Sequence, residues 1–296
     1  MTRRYALLLM TLVPLLWSMA GIFTRQLAMV GNVEIVFWRS AFAALFVAFA
    51  LLASPKARFV SGLRNMGLPG LLSALMWAVV FTCFMLSLTL TTVANTLLLN
   101  GITPLLTAFF AWLFLGQKTA ARTWCAIVVA LAGVIWIFAG NTGDALQQTH
   151  LAGMLFALAV PFAYAVNFII FSKAGKTIDM MPAVFLGAAL SSVAMIPLAF
   201  PLKASLRDVA ILGFLGIFQL GIPCLLLVYV SRFLFPAEMA LIAMLEIVLG
   251  PLWVWVGVAE APSKETLIGG VVVLLSLLAH EIISMQQQGG KKDTGK

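Results

Sequence analysis

Apolar residues in this chain neither alternate with polar ones, as in a strand, nor recur at the three-to-four spacing of a half-buried helix. They run in continuous blocks of about twenty residues. Ten such blocks are visible, at 5–24, 34–53, 66–88, 92–115, 121–139, 151–172, 181–200, 208–230, 237–258 and 264–284. At about 1.5 Å of helical rise per residue, each block matches the roughly 30 Å apolar thickness of a bilayer. Lipid offers backbone amides no partner, so only helices or closed barrels span it, and barrels are built from short alternating segments. The pattern therefore predicts an all-α membrane protein with ten transmembrane helices.

Composition sharpens this reading. Of 296 residues, 63% are apolar and only 9% are Asp, Glu, Lys or Arg, against about 25% charged in a soluble domain. No soluble domain of useful size fits between the blocks. The net charge of +8 does not imply nucleic acid, because the basic residues are scattered between blocks instead of clustered on a face. They sort as topology. With the N-terminus inside, 13 Lys and Arg fall on the cytoplasmic side and 4 (Arg25, Lys203, Arg207 and Lys264) outside, with Arg39 left within a span. The positive-inside rule then places both termini in the cytoplasm.

The first block has the outline of a signal peptide, with Arg3 and Arg4 ahead of it and Ser18-Met19-Ala20 inside it. It reads as a retained span because Pro14 and Trp17 have counterparts, Pro161 and Tyr164, at the same spacing in block six. Cys83, Cys125 and Cys224 lie in apolar runs with no C-x-x-C pair or Cys/His cluster nearby. Inert thiols are expected, with no metal and no cofactor.

Internal repetition sets the architecture. A shift of 143 residues superposes Gly70 on Gly213, Ala94 on Ala237, Trp112 on Trp255 and Gln117 on Glu260, and a shift of 147 relates blocks one and six. Residues 1–140 form a first five-helix repeat, 141–149 an external loop, 150–285 a second repeat, and 286–296 a cytoplasmic tail. An odd number of spans per repeat makes the second enter the membrane from the opposite side. Inverted repeats of this kind imply alternating access around a midplane site.

The runs PLLWSMAGIFTRQL (Pro14 to Leu27), FWRSAF around Arg39, TPLLTAFFAWLFLGQK (Thr103 to Lys118) and ALIAMLEIVLGPLWVWVGVAE (Ala240 to Glu260) resemble the two repeats of the EamA branch of the drug/metabolite transporter superfamily. The resemblance covers nearly the whole chain. Within the branch it is strongest toward bacterial aromatic amino-acid exporters, which implies an inner-membrane exporter with a central cavity. Two positions depart from the branch pattern. Ile247 stands where proline usually follows glutamate, and Gln117 stands in place of a glutamate.

Depth along each block places Trp17, Trp77, Asn100, Tyr164, Asn167, Gln219 and Glu246 near the midplane. The aromatic residues read either as packing or as a cavity wall for a large apolar side chain. Asn95, Asn100, Asn167 and Gln219 serve either as interhelical hydrogen bonds or as contacts to a polar head group. Together they make neutral amino acids the expected substrates, along a path lined by helices one, three, four, six, eight and nine.

Glu246 is the one carboxylate deep in a block. It either binds a substrate ammonium, carries a coupling proton, or bonds backbone freed near Gly250 and Pro251. Arg39 either snorkels to the external interface, or contacts a carboxylate or forms a gate on the external side. Pro14, Pro104, Pro161, Gly221, Pro223, Gly250 and Pro251 mark bends, as gates or as kinked packing, while Gly101 and Gly133 read as close helix contacts. An embedded enzyme would need a nucleophile and base or a metal cluster. His150 and His280 sit at block ends, and His280 with Glu281 reads as a solvated helix end. Beyond an amino-acid substrate and the lipid bilayer no partner is implied, and a monomer satisfies the pattern.

Overall fold

The computed structural model describes residues 3–27, 30–53, 59–116, 121–139, 145–174, 178–231, 233–234, 239, 242–276 and 279. Gln117, loop residues 140–144, Ala237, His280, Glu281 and the tail at 286–296 lie outside the described residues.

Among the described residues each apolar block is largely helix, and blocks one, four, eight and nine are interrupted, the last at Met244. Block one divides into α1 (Arg3–Ser18) and α2 (Ala20–Thr24), the break falling shortly after Pro14, which has no amide hydrogen to give. Blocks two and three are α3 (Asn32–Ala53) and α5 (Gly67–Leu90), joined by the short α4 (Phe59–Asn65). Block four divides into α6 (Val93–Asn100) and α7 (Thr103–Leu115) around Gly101. The Thr92 side chain caps α6 by accepting from the Asn95 amide. Gly116, at φ 63°, ends α7 in the left-handed conformation that glycine adopts without strain.

Then follow α8 (Ala121–Ala139), α9 (Ala145–Ala174) and α10 (Met181–Ala199). Block eight consists of α11 (Leu206–Phe214), a π-helical segment at Leu215–Gly221, and α12 (Ile222–Val230). Ser205 and Asp208 close a capping box on α11. Last come α13 (Leu245–Val258) and α14 at 264–276. Among the described residues, seven helical stretches are long and apolar enough to cross a membrane, and Trp124–Ile137 and Leu245–Val258 are shorter apolar helices. Leu8, Phe49 and Val256 are 67%, 69% and 77% exposed, which suits a surface that meets lipid tails.

Since lipid is as apolar as leucine, the helices are held by close approach and polar contacts. The Ser191 hydroxyl lies 3.0 Å from that of Ser40 and 2.8 Å from that of Thr82, tying α10 to α3 and α5. A Cβ on Gly133 of α8 would lie 2.9 Å from the Gly269 carbonyl oxygen of α14, so Gly133 marks a close helix contact. Gly101 instead occupies the break between α6 and α7.

The contacts recur under exchange of the halves. α5 packs on α9 as α12 packs on α1, α6 and α7 pack on α9 as α13 packs on α1, and α5 packs on α10 as the π segment packs on α3. Chain direction reverses between matching blocks. Block one ends, and block six begins, near Thr91, whose Oγ1 is 3.5 Å from His150 Nδ1. Block two begins where block seven has just ended, with the Glu34 carboxylate accepting from the amides of Lys203 and Ala204 at 2.9 to 3.0 Å.

Candidate functional site

Near the break in α1 and the π segment, the helices part around a cavity of about 400 Å³, within the roughly 300 to 1,000 Å³ of small-molecule sites. Its walls come from α1, α3, α5, α6, α7, α9, the π segment, α12 and α13. The expected lining thus gains α3, which contributes Arg39.

Five of the eight substrate-site candidates line it: Trp17, Asn100, Tyr164, Gln219 and Glu246. Trp17 and Tyr164, superposed by the 147-residue shift, meet with ring centroids 6.2 Å apart and planes tilted by 48°. Asn100 Oδ1 is buried without a hydrogen-bond partner.

The other three stand elsewhere. Trp77 is fully buried behind the lining, stacked on Phe81 at 5.2 Å and edge-on to Tyr164 at 5.7 Å. It supports the aromatic wall from outside the cavity. Asn95 gives an amide hydrogen to Thr91 Oγ1 and accepts from Thr266 at 2.7 Å, joining α6 to α14. Asn167 is buried with both amide atoms unpartnered, outside the lining.

The bend candidates divide in the same way. Pro104 begins α7 just after the break and lines the cavity. Gly221 closes the π segment and Pro223 follows at the start of α12, where a missing amide hydrogen costs little. Such π segments re-aim side chains inside helices, and Gln219 is carried on this one. Pro161 and Pro251 lie within continuous helices, and Gly250 packs against Leu97.

Arg39 corrects the sequence reading that favoured snorkelling. Its side chain is buried in the cavity wall and 1% exposed, because Gly216 lets the π segment press close. A Cβ on Gly216 would lie 2.6 Å from the Arg39 carbonyl oxygen. The guanidinium gives hydrogen bonds from Nε (3.0 Å) and Nη2 (2.7 Å) to Gln219 Oε1, and Gln219 Nε2 gives one to the Trp17 carbonyl at 3.2 Å. Nη1 is buried with no partner among the described residues. Glu246 lines the same cavity. A guanidinium and a carboxyl group in an aromatic chamber suit a small amphipathic ligand with complementary polar groups.

Outside the cavity lining, a clamp ties three elements together. Arg25 Nε gives a 2.6 Å bond to Glu260, Nη1 one of 2.7 Å to the Leu88 carbonyl and Nη2 one of 3.0 Å to the Thr91 carbonyl. Glu260 also accepts from the Val93 amide at 2.9 Å. The clamp joins α2, the α5–α6 turn and the end of α13. The cavity lining includes Met10, Ala111 and Leu227 and none of the clamp residues.

Comparison with known proteins places this geometry. The model of the EamA-like transporter family matches residues 4–139 and again 151–279. The chain is 25% identical over 255 residues to the pseudopaline exporter CntI of two Pseudomonas aeruginosa strains, covering 83% of this chain and 84% of that protein. It is 25% identical over 182 residues to the uncharacterized transporter YdfC of Bacillus subtilis, covering 60% and 58% respectively. A crystal structure shares the fold at a TM-score of 0.67 and 19% identity, covering 93% of this chain and 96% of that one. The chain belongs to the EamA-like transporter family.

Proposed function

We propose that this member of the EamA-like transporter family exports neutral amino acids, mainly aromatic and large apolar ones, across the bacterial inner membrane. Ten spans in two inverted five-helix halves carry it, with both termini cytoplasmic. The observation that carries the substrate reading is the aromatic cavity with Arg39 and Glu246 in one lining. The exchangeable contacts, the reversed block directions and the twofold family match support the inverted repeat.

Charge placement would put the clamp on the external side, and an exporter awaiting cargo would rest with its cavity open to the cytoplasm. Breaks around Met19 and Gly101 and the π segment give the halves places to bend in alternating access. The similarity to a pseudopaline exporter favours a second reading, export of another small metabolite.

Among the described residues, Glu246 is the sole carboxylate of the lining, and no His or Lys accompanies it. Export is therefore expected to run down the substrate's own gradient. Purified protein in liposomes should move labelled phenylalanine with no pH gradient imposed, and Glu246→Gln should not abolish a pH effect, there being none. Movement only under a proton gradient, lost in Glu246→Gln, would overturn the uncoupled mechanism. Absence of movement for every amino acid in a panel would overturn the substrate class.

A further inference from the structure

The geometry points to Arg39 as the anchor for a carboxylate on the transported molecule, with Gln219 as its positioning residue; this rests on the amino-acid reading above. A guanidinium carries five N–H groups in one plane. Gln219 Oε1 occupies the Nε–Nη2 edge. The remaining edge, formed by Nη1 and the second hydrogen of Nη2, has no partner among the described residues at Nη1. That edge is the fork that holds both oxygens of a carboxylate in parallel hydrogen bonds.

Burial makes the vacancy informative. Arg39 is 1% exposed, lies in a membrane span, and has only a neutral amide as hydrogen-bond partner. An intramembrane cation is costly unless it meets an anion, and a ligand arriving in the cavity supplies one. Gln219 cannot turn its oxygen away from Arg39 without losing its own bond to the Trp17 carbonyl, so the guanidinium plane is fixed before any ligand enters. The guanidinium carbon also lies over the Phe84 ring, 5.8 Å from its centroid. Glu246 lines the same cavity, which gives an ammonium its counterpart. The head group that satisfies both is a zwitterion.

Competition for labelled L-phenylalanine on the purified full-length protein tests the assignment, with unlabelled L-phenylalanine and L-phenylalaninamide as competitors. The amide keeps the ring and the ammonium and lacks only the carboxylate. Wild type should bind it about tenfold or more weakly, since a site built around one polar group rejects the analogue without it. In Arg39→Gln that preference should shrink to about twofold or less, and Arg39→Lys, which keeps charge without the fork, should fall between. Because the readout is a ratio within one protein, a general loss of affinity does not mimic it. If Arg39→Gln does not fold, the wild-type and Arg39→Lys ratios decide. Equal binding of acid and amide by wild type, or an undiminished preference in either variant, would overturn the anchor while leaving amino-acid export standing. A wild-type protein that binds and moves no amino acid overturns both.

Discussion

Gln219 holds Arg39 through its amide oxygen and Trp17 through its amide nitrogen, and this division of labour predicts how substitutions separate stability from transport. Gln219→Glu puts a carboxylate on the guanidinium, pairing the buried charge inside the protein. Its second oxygen cannot replace the amide donor to the Trp17 carbonyl, so the new ion pair should leave thermal unfolding little changed, while export falls by about tenfold or more because the guanidinium charge is already neutralised even though its Nη1 edge stays open. Retained export in this variant would contradict the role given to Arg39. Gln219→Leu should instead unfold earlier, by the roughly 1 to 3 kcal/mol of stranded buried donors. The aromatic residues divide similarly. Trp17→Ala or Tyr164→Ala removes cavity wall and should weaken phenylalanine export more than threonine export, by about 0.5 to 1.5 kcal/mol of lost ring contact. Trp77→Ala empties a packed site behind the wall, so its cost of about 3 to 5 kcal/mol should fall on stability and on both substrates alike. Parallel uptake assays and melting curves distinguish the two patterns. The aromatic and amide candidates were visible because polar and ring-bearing residues stand out in apolar blocks. Arg39 was misjudged because depth along one helix says nothing of a partner 180 residues away, nor of the glycine that lets the π segment approach.

The elements repeat this lesson at larger size. The apolar helices were legible, since a bilayer demands continuous apolar helix, but the breaks around Met19 and Gly101 and the π segment were legible only as nearby bend marks, with their form hidden. Proline marked only some of them: α9 and α13 run straight through Pro161 and Pro251, because neighbouring packing absorbs one missing hydrogen bond. The clamp was hidden for another reason. Arg25 and Glu260 each read as a block end, and only folding brings them to the carbonyls of Leu88 and Thr91 and the Val93 amide. Removing one partner leaves several groups unsatisfied, so Arg25→Met should favour the conformation open at this end. A charge-assisted contact of about 1.5 to 3 kcal/mol corresponds to a population shift of about tenfold or more. With Cys83, Cys125 and Cys224 replaced by serine, a cysteine at Leu97, which is 2% exposed, should react faster with an impermeant thiol reagent added from outside. Equal rates with and without Arg25 would show that the clamp does not govern access.

At the scale of the whole molecule, the halves are interchangeable in packing but not in chemistry. Arg39 of block two and Gln219 and Glu246 of the second repeat have no charged or amide counterparts under the repeat shifts, which bring Glu246 onto Thr103 and Gln219 onto Met76. The site itself is therefore asymmetric, which under the proposed alternating access would hold the cargo in one orientation on every cycle. The clamp adds a second asymmetry, one that belongs to pharmacology. In the proposed inward-facing state, with the Arg25–Glu260 pair formed, the binding surface would be offered to one compartment only. A bulky, impermeant phenylalanine analogue that fills the chamber but prevents closure should therefore block inside-out vesicles at concentrations that leave right-side-out vesicles untouched. Releasing the clamp with Arg25→Met should make the same blocker effective from the outer face, so that one ion pair decides from which side of the membrane the protein can be poisoned.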